Sequence, residues 1–367
     1  MKVTRVQRVV LAIILVYIIL LIGPTAGFDV PEIAGAISNQ PVQFFQFLII
    51  GLANGSILAI IALGYTMVYG IIELINFAHG DVFMIGVFVS LTTLSLLGAV
   101  DSTNTVEIIL ALIVALVVAV VFCAVLNATI ERVAYRRLRN SPRLAPLISA
   151  IGVSYILANC GLIWAAQSWL VPSFGSSGGA ATKKFPDLLT KIAELSGQSV
   201  DILASTGIGL RLTYKEILVI ILAAALMVGL RFFVQNTQLG KAMRATAQSR
   251  EAARMMGIDI DRVITTTFLI GGGLAGAAGI MAGLYNTSAT WNMGFRAGLY
   301  AFTAAVLGGI GNITGAMLGG ILIGLLASFS DGYFSTEWTQ AWIFSTLVII
   351  LLFRPSGLLG EHVAQKA

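Results

Sequence analysis

Glu73, Asn76, His79 and Asp81 fall within one short stretch between two long apolar runs, 44–68 and 82–97. Two carboxylates, an amide and an imidazole can relay protons or hydrogen-bond a polar solute. At bilayer depth they are costly, about 2.5–3.5 kcal/mol for a centred aspartate on insertion scales, and they persist only where they face protein, water or substrate. Residues three or four apart share a helical face, so Asn76 and His79 are expected to point together, with Gly80 admitting a close neighbour. Three roles fit the stretch. It lines a polar path through Asn76, His79 and Asp81, with Asn54 and Asn312 as weaker additions. It pins a broken helix by hydrogen bonds to its neighbours. Or it lies at a cytoplasmic mouth and gates.

No catalytic constellation accompanies these residues. His79 and His362 are the only histidines and cannot form a two-histidine metal site on one element. No Cys/His or Ser/His/Asp grouping is present, so neither an enzymatic activity nor a metal or cofactor is expected. Cys123 and Cys160 both lie in apolar runs and read as small buried hydrophobes. The glycine-rich run 308–315 has neither the Gly-x-x-x-x-Gly-Lys-Ser/Thr nor the Gly-x-Gly-x-x-Gly spacing of a phosphate-binding loop. If transport here uses ATP, another chain hydrolyses it.

The elements that must position this stretch are membrane helices. The chain has 367 residues, 57% of them hydrophobic and 11% charged, against about 25% charged in a soluble domain. The expected class is an all-α polytopic membrane protein. The net charge of +5 is concentrated in two loops, where it reports orientation and not nucleic-acid binding. Residues 1–43 read as a signal-like or extra transmembrane segment followed by an external loop, with retention of the segment favoured. Spans are expected at 44–68, 82–97, 106–129, 144–170, 217–233, 263–284 and 338–353, each near the roughly 20 residues a crossing needs. The five arginines at 132, 136, 137, 139 and 143 mark a cytoplasmic loop. Trp164 and Trp169 read as interface anchors, and residues 171–214 as a polar external loop.

A second basic block, 234–262, is expected in the cytoplasm. Its middle, 241–256, reads as one helix stopped by Gly257. Such a helix either lies on the lipid surface or docks a partner. Glycines at 271, 272, 273, 276, 279 and 283 form a packing face. The segment 299–329 is expected to break into a re-entrant pair, 299–308 and 313–329, which keeps the acidic loop 331–337 outside and Arg354 inside. The tally is eight or nine crossings plus one or two broken segments, with a cytoplasmic tail at 361–367.

Residues 64–72 (GYTMVYGII), 75–81 (INFAHGD), 131–136 (ERVAYR) and 301–311 (AFTAAVLGGIG) together resemble the branched-chain amino-acid ABC permease family of the LivH type, over about 44–360. Glu251-Ala252-Ala253 followed by Gly257 resembles the loop by which importer permeases grip their ATPases, although the Ile-x-Leu-Pro that completes that pattern is missing. The resemblance implies the ABC importer permease fold in the bacterial inner membrane. It also implies two cytoplasmic ATP-binding subunits, a homologous second permease and an external solute-binding protein as partners. Arg244, Arg250, Glu251, Ala252, Ala253 and Gly257 would then form the coupling helix. The implied cargo is a branched-chain amino acid. Urea-type relatives share the core motifs and leave a short amide as the alternative, and a proton relay through His79 and Asp81 is the alternative of another class.

Overall fold

In hydrocarbon no water can bond the backbone, so each apolar run satisfies its own N–H and C=O groups by coiling into a helix. The computed structural model describes residues 40–72, 74, 76–139, 141–142, 144–167, 178–196, 200–203 and 209–360. Its helices are α1 (Pro41–Ile72), α2 (Ala78–Leu96), α3 (Thr105–Ile130), α4 (Leu144–Ala166), α5 (Leu188–Leu195) and α6 (Tyr214–Asn236). There follow α7 (Gln238–Gln248), α8 (Arg250–Met255), α9 (Ile260–Asn286), α10 (Met293–Gly308), α11 (Ile313–Tyr333) and α12 (Thr339–Phe353). Seven of these are long and apolar enough to cross a membrane, and α12 is a shorter apolar helix. The N-terminal segment, Glu73, Trp169 and the tail with His362 lie outside the described residues.

The spanning helices are apolar around their whole circumference, so hydrophobicity alone does not say which are central. Small residues do. The most extensive pair is α1 with α11. A Cβ added at Gly320 would lie 2.3 Å from the Ala59 Cα, and one at Gly324 would lie 2.1 Å from the Gly55 Cα. On α9, Gly276 and Gly279 meet Gly86 of α2 in the same way, and the expected packing face of α9 is a real one. Thus α1, α2 and α9 form the centre. Outside them, α3, α4 and α6 turn Val117, Ile156 and Phe232 outward, the kind of surface a bilayer covers.

The expected break in 299–329 is present. α10 and α11 form an antiparallel hairpin about a turn at 309–312, with Gly308 against Gly315 and Gly319 against Ala304. Its first arm begins at Met293, six residues earlier than the apolar pattern suggests, because Gly294 and Gly298 can pack on Gly80. The chain after α12 folds back on this turn, where Leu358 and Leu359 donate to the carbonyls of Leu307 and Gly308.

Two expectations need correction. The segment 171–214 is not a plain polar connection. Within it β1 (Lys183–Lys184) pairs antiparallel with β2 (Ser288–Ala289), α5 forms, and Phe185 is wholly buried against Gly283. Trp164, one of the expected anchors, is half-buried and donates its indole N–H to Thr92 Oγ1 at 3.0 Å. Of the two cysteines Cys123 is buried and Cys160 is exposed, because α4 lies at the rim.

Candidate functional site

The helical path breaks between Ile72 and Ala78, and the break is where the polar stretch sits. Asn76 is buried there. Tyr135 Oη donates to Asn76 Oδ1 at 2.8 Å, and Asn76 Nδ2 donates to Asn127 Oδ1 at a long 3.5 Å. Asn127 Nδ2 in turn donates to the Phe268 carbonyl at 2.7 Å. This buried chain ties the break to α3 and α9. Tyr135→Phe should therefore lower stability by about 1 kcal/mol, the usual net worth of one such bond, and Asn127→Ala, which removes two partners, should cost more. Thermal unfolding of the purified protein in detergent reads both.

His79 does not join Asn76, contrary to the face-sharing expectation, because only His79 lies in regular helix. Its ring is wholly buried, meets Tyr65 edge-on with centroids 4.9 Å apart, and covers Gly64, whose added Cβ would lie 2.2 Å from Nε2. Neither ring nitrogen makes a well-formed hydrogen bond among the described residues. Asp81 goes a third way. It is wholly buried, Ser154 on α4 donates to its Oδ2, and its Oδ1 faces Gly294 at the start of α10. The partial positive charge of a helix N-terminus favours a carboxylate there. The three candidates thus diverge toward α3, α1 and α4, each hemmed in by protein.

Of the weaker additions, Asn54 is half-buried on α1. Asn312 caps α11, accepting from the Gly315 N–H at 3.0 Å and donating to the Leu359 carbonyl at 2.8 Å. Both ends of its amide serve the turn. Asn127 and Ser154 escaped the sequence reading, and Tyr135 entered it only as a member of the 131–136 motif. Their signal was available, since a lone Asn or Ser inside an apolar run needs a partner.

At the basic end of the bundle α3 continues into a π-helical turn, Glu131–Tyr135, and a tight 3-10 turn, Arg136–Leu138. Glu131 is wholly buried. It accepts from Arg139, and from Thr265 Oγ1 at 2.9 Å. Arg139 also reaches Asp261 at 2.5 Å, and Arg136 reaches the same carboxylate at 2.7 Å. Part of the expected arginine-rich loop is therefore an ion-pair cluster joining α3 to α9. Removing the carboxylate from a buried pair costs about 3–5 kcal/mol, because the partner charge is stranded.

The expected single helix 241–256 is two. α7 ends at Gln248, Ser249 is extended (φ −160°, ψ 114°), and its side chain accepts from the Ala252 N–H to start α8. A serine competes with the helix for backbone bonds and so favours a cap. The stop at Gly257 is as expected. Its φ is +80°, and the Gly257 and Ile258 N–H groups bond the Arg254 and Ala253 carbonyls, a Schellman ending. The residues then part company. Arg244 donates to the Val234 carbonyl at the end of α6. Arg250 donates through Nε at 3.2 Å and Nη2 at 2.9 Å to the Ile71 carbonyl. Ala253 is buried, whereas Glu251, Ala252 and Gly257 are exposed. So are Met255 and Met256, at 83% and 82%. Two clefts, of about 310 Å³ and 610 Å³, flank the pair Arg139 and Arg250, which lines both.

The pattern of the branched-chain amino acid transport system / permease component family matches residues 47–352. The permease protein BraD of Pseudomonas aeruginosa, of a high-affinity branched-chain amino acid transport system, is 38% identical over 324 residues, 88% of this chain and 98% of its own length. LivH of Escherichia coli and of Salmonella typhimurium, permease proteins of systems so named, are 38% and 37% identical over 329 residues, 90% of this chain and 99% of theirs. No solved structure matches the chain. A polytopic helical bundle with its polar stretch at a break, matched by the family pattern over most of its length, belongs to the branched-chain amino acid transport system permease family.

Proposed function

We propose that the chain is a permease subunit of an ATP-driven importer of branched-chain amino acids in the bacterial inner membrane. It works with two cytoplasmic ATPases, a homologous second permease and an external binding protein. The observation that carries this reading is the face of α8. Glu251, Arg254, Met255 and Met256 stand exposed together at the basic end. An apolar pair ringed by charge at the end of a bundle suits a protein partner. High-affinity relatives that share the chain over nearly their whole length support an amino acid over urea as cargo.

A proton relay through His79 and Asp81 has no such support. His79 lies against Tyr65 and Gly64 while Asp81 is held by Ser154. In this reading Asn76, His79 and Asp81 hold the shape of the break, and the path beside them forms with the second permease. Liposomes carrying this chain alone should take up no leucine under a pH gradient. Liposomes carrying the whole assembly should accumulate leucine when ATP is added inside with the ATPases. Accumulation by the chain alone would overturn the proposal.

A further inference from the structure

We propose that Arg250 is the positioning residue through which the ATPase-docking segment moves the broken end of α1. The inference rests on the reading of α8 as that segment. Ile71 is the penultimate residue of α1, so its carbonyl is among those that no helical N–H receives. Arg250 fills it with two donors, at 3.2 Å and 2.9 Å, from a position remote in sequence. A guanidinium is a planar, pre-organised donor set, and its charge is favoured at a helix C-terminus.

The extended Ser249 is what aims Arg250 there. An unbroken helix through 241–256 would carry residue 250 onward along the α7 axis, whereas the break at Ser249 restarts the chain with Arg250 as the first residue of α8. The neighbouring residues of α8 are those left exposed for a partner. Residues of the break line the same cleft as those of the α7–α8 corner, with Ile71, Ile72 and Leu74 opposite Thr246, Ser249 and Arg250. On its far side the break is held by Asn76 to Tyr135 and Asn127. A displacement of α8 therefore pulls on α1 at one side of the break, while α3 and α9 anchor the other. Arg244, which holds the end of α6 instead, is not part of this link.

The test uses the full transporter in nanodiscs and liposomes, with leucine as cargo. Arg250→Gln should leave the ATPases bound at the unaltered stoichiometry and hydrolysing ATP, while leucine moved per ATP falls about tenfold, the loss expected for one charge-assisted bond. Arg250→Lys, which keeps the charge and one donor, should recover part of that ratio. A purely structural role would not move transport per ATP. Should Arg250→Gln fold poorly, amide exchange on the unaltered complex decides: ATP binding should change exchange at 74–79 together with 249–256. An unchanged ratio, or exchange that changes at 249–256 only, overturns the link. Loss of the ATPases from Arg250→Gln also overturns it, by making Arg250 a docking contact. If Glu251→Lys keeps both the ATPases and normal uptake, it is the docking reading of α8 that fails.

Discussion

Gly324→Val leaves almost no folded chain in the membrane. At this position the α11 backbone lies on that of α1, and even a Cβ would fall 2.1 Å from the Gly55 Cα and 2.3 Å from its N. Both obstacles are main chain and cannot rotate away. Two long helices must separate, and with them the most extensive contact in the bundle. Overpacking of ordinary cores costs about 1–3 kcal/mol, and here the whole helix pair has to move, so the cost lies at or above that range. Gly152→Ala on α4 and Gly229→Ala on α6 are the controls. A Cβ at either meets nothing within 4 Å, so both variants accumulate as the unaltered chain does. Quantitative blotting of washed membranes, with fluorescence size exclusion in detergent, reads the difference. Normal amounts of monodisperse Gly324→Val would show that the α1–α11 contact is wrong.

Glu251→Lys abolishes leucine uptake without removing the chain from the membrane. Glu251 is exposed at the start of α8, on the face that also carries the exposed Arg254. It is the carboxylate on a face that otherwise presents Arg254 and the two methionines. Reversing its sign sets two unrelieved positive charges, residue 251 and Arg254, on the surface offered to the ATPase. An interface hot spot contributes about 2 kcal/mol or more, or about 30-fold in affinity, and that is the loss expected of this reversal. ATPase co-purification should fall accordingly and uptake should drop to background. Glu194→Lys on α5, also exposed but among the folded residues of the 171–214 loop, should leave both unchanged. Full uptake by the Glu251 variant would remove α8 from the docking surface.

Much of this was legible in the amino-acid order, and the reason differs between elements. The span positions follow from apolar runs, because lipid offers the backbone no other partner. The stop at Gly257 follows from the one residue type that takes φ +80° without strain. The glycines of α9 were recognisable as a packing face, though not what they face. The break after Ile72 could be inferred from four costly side chains in one stretch. Their partners could not, because Asn127, Tyr135 and Ser154 come from other helices.

The sequence by itself determined a polytopic helical membrane protein with a polar break and a basic connection at one end, while the permease reading came from its motifs' resemblance to a family. Those features depend on composition and on neighbours along the chain. Only the tertiary structure decided that Asn76, His79 and Asp81 part toward three different helices. It alone decided that the basic connection bends at Ser249, and that Arg250 closes the end of α1. Such pairings join residues up to 179 positions apart. They depend on which small residues let which backbones touch, a choice that no local pattern carries.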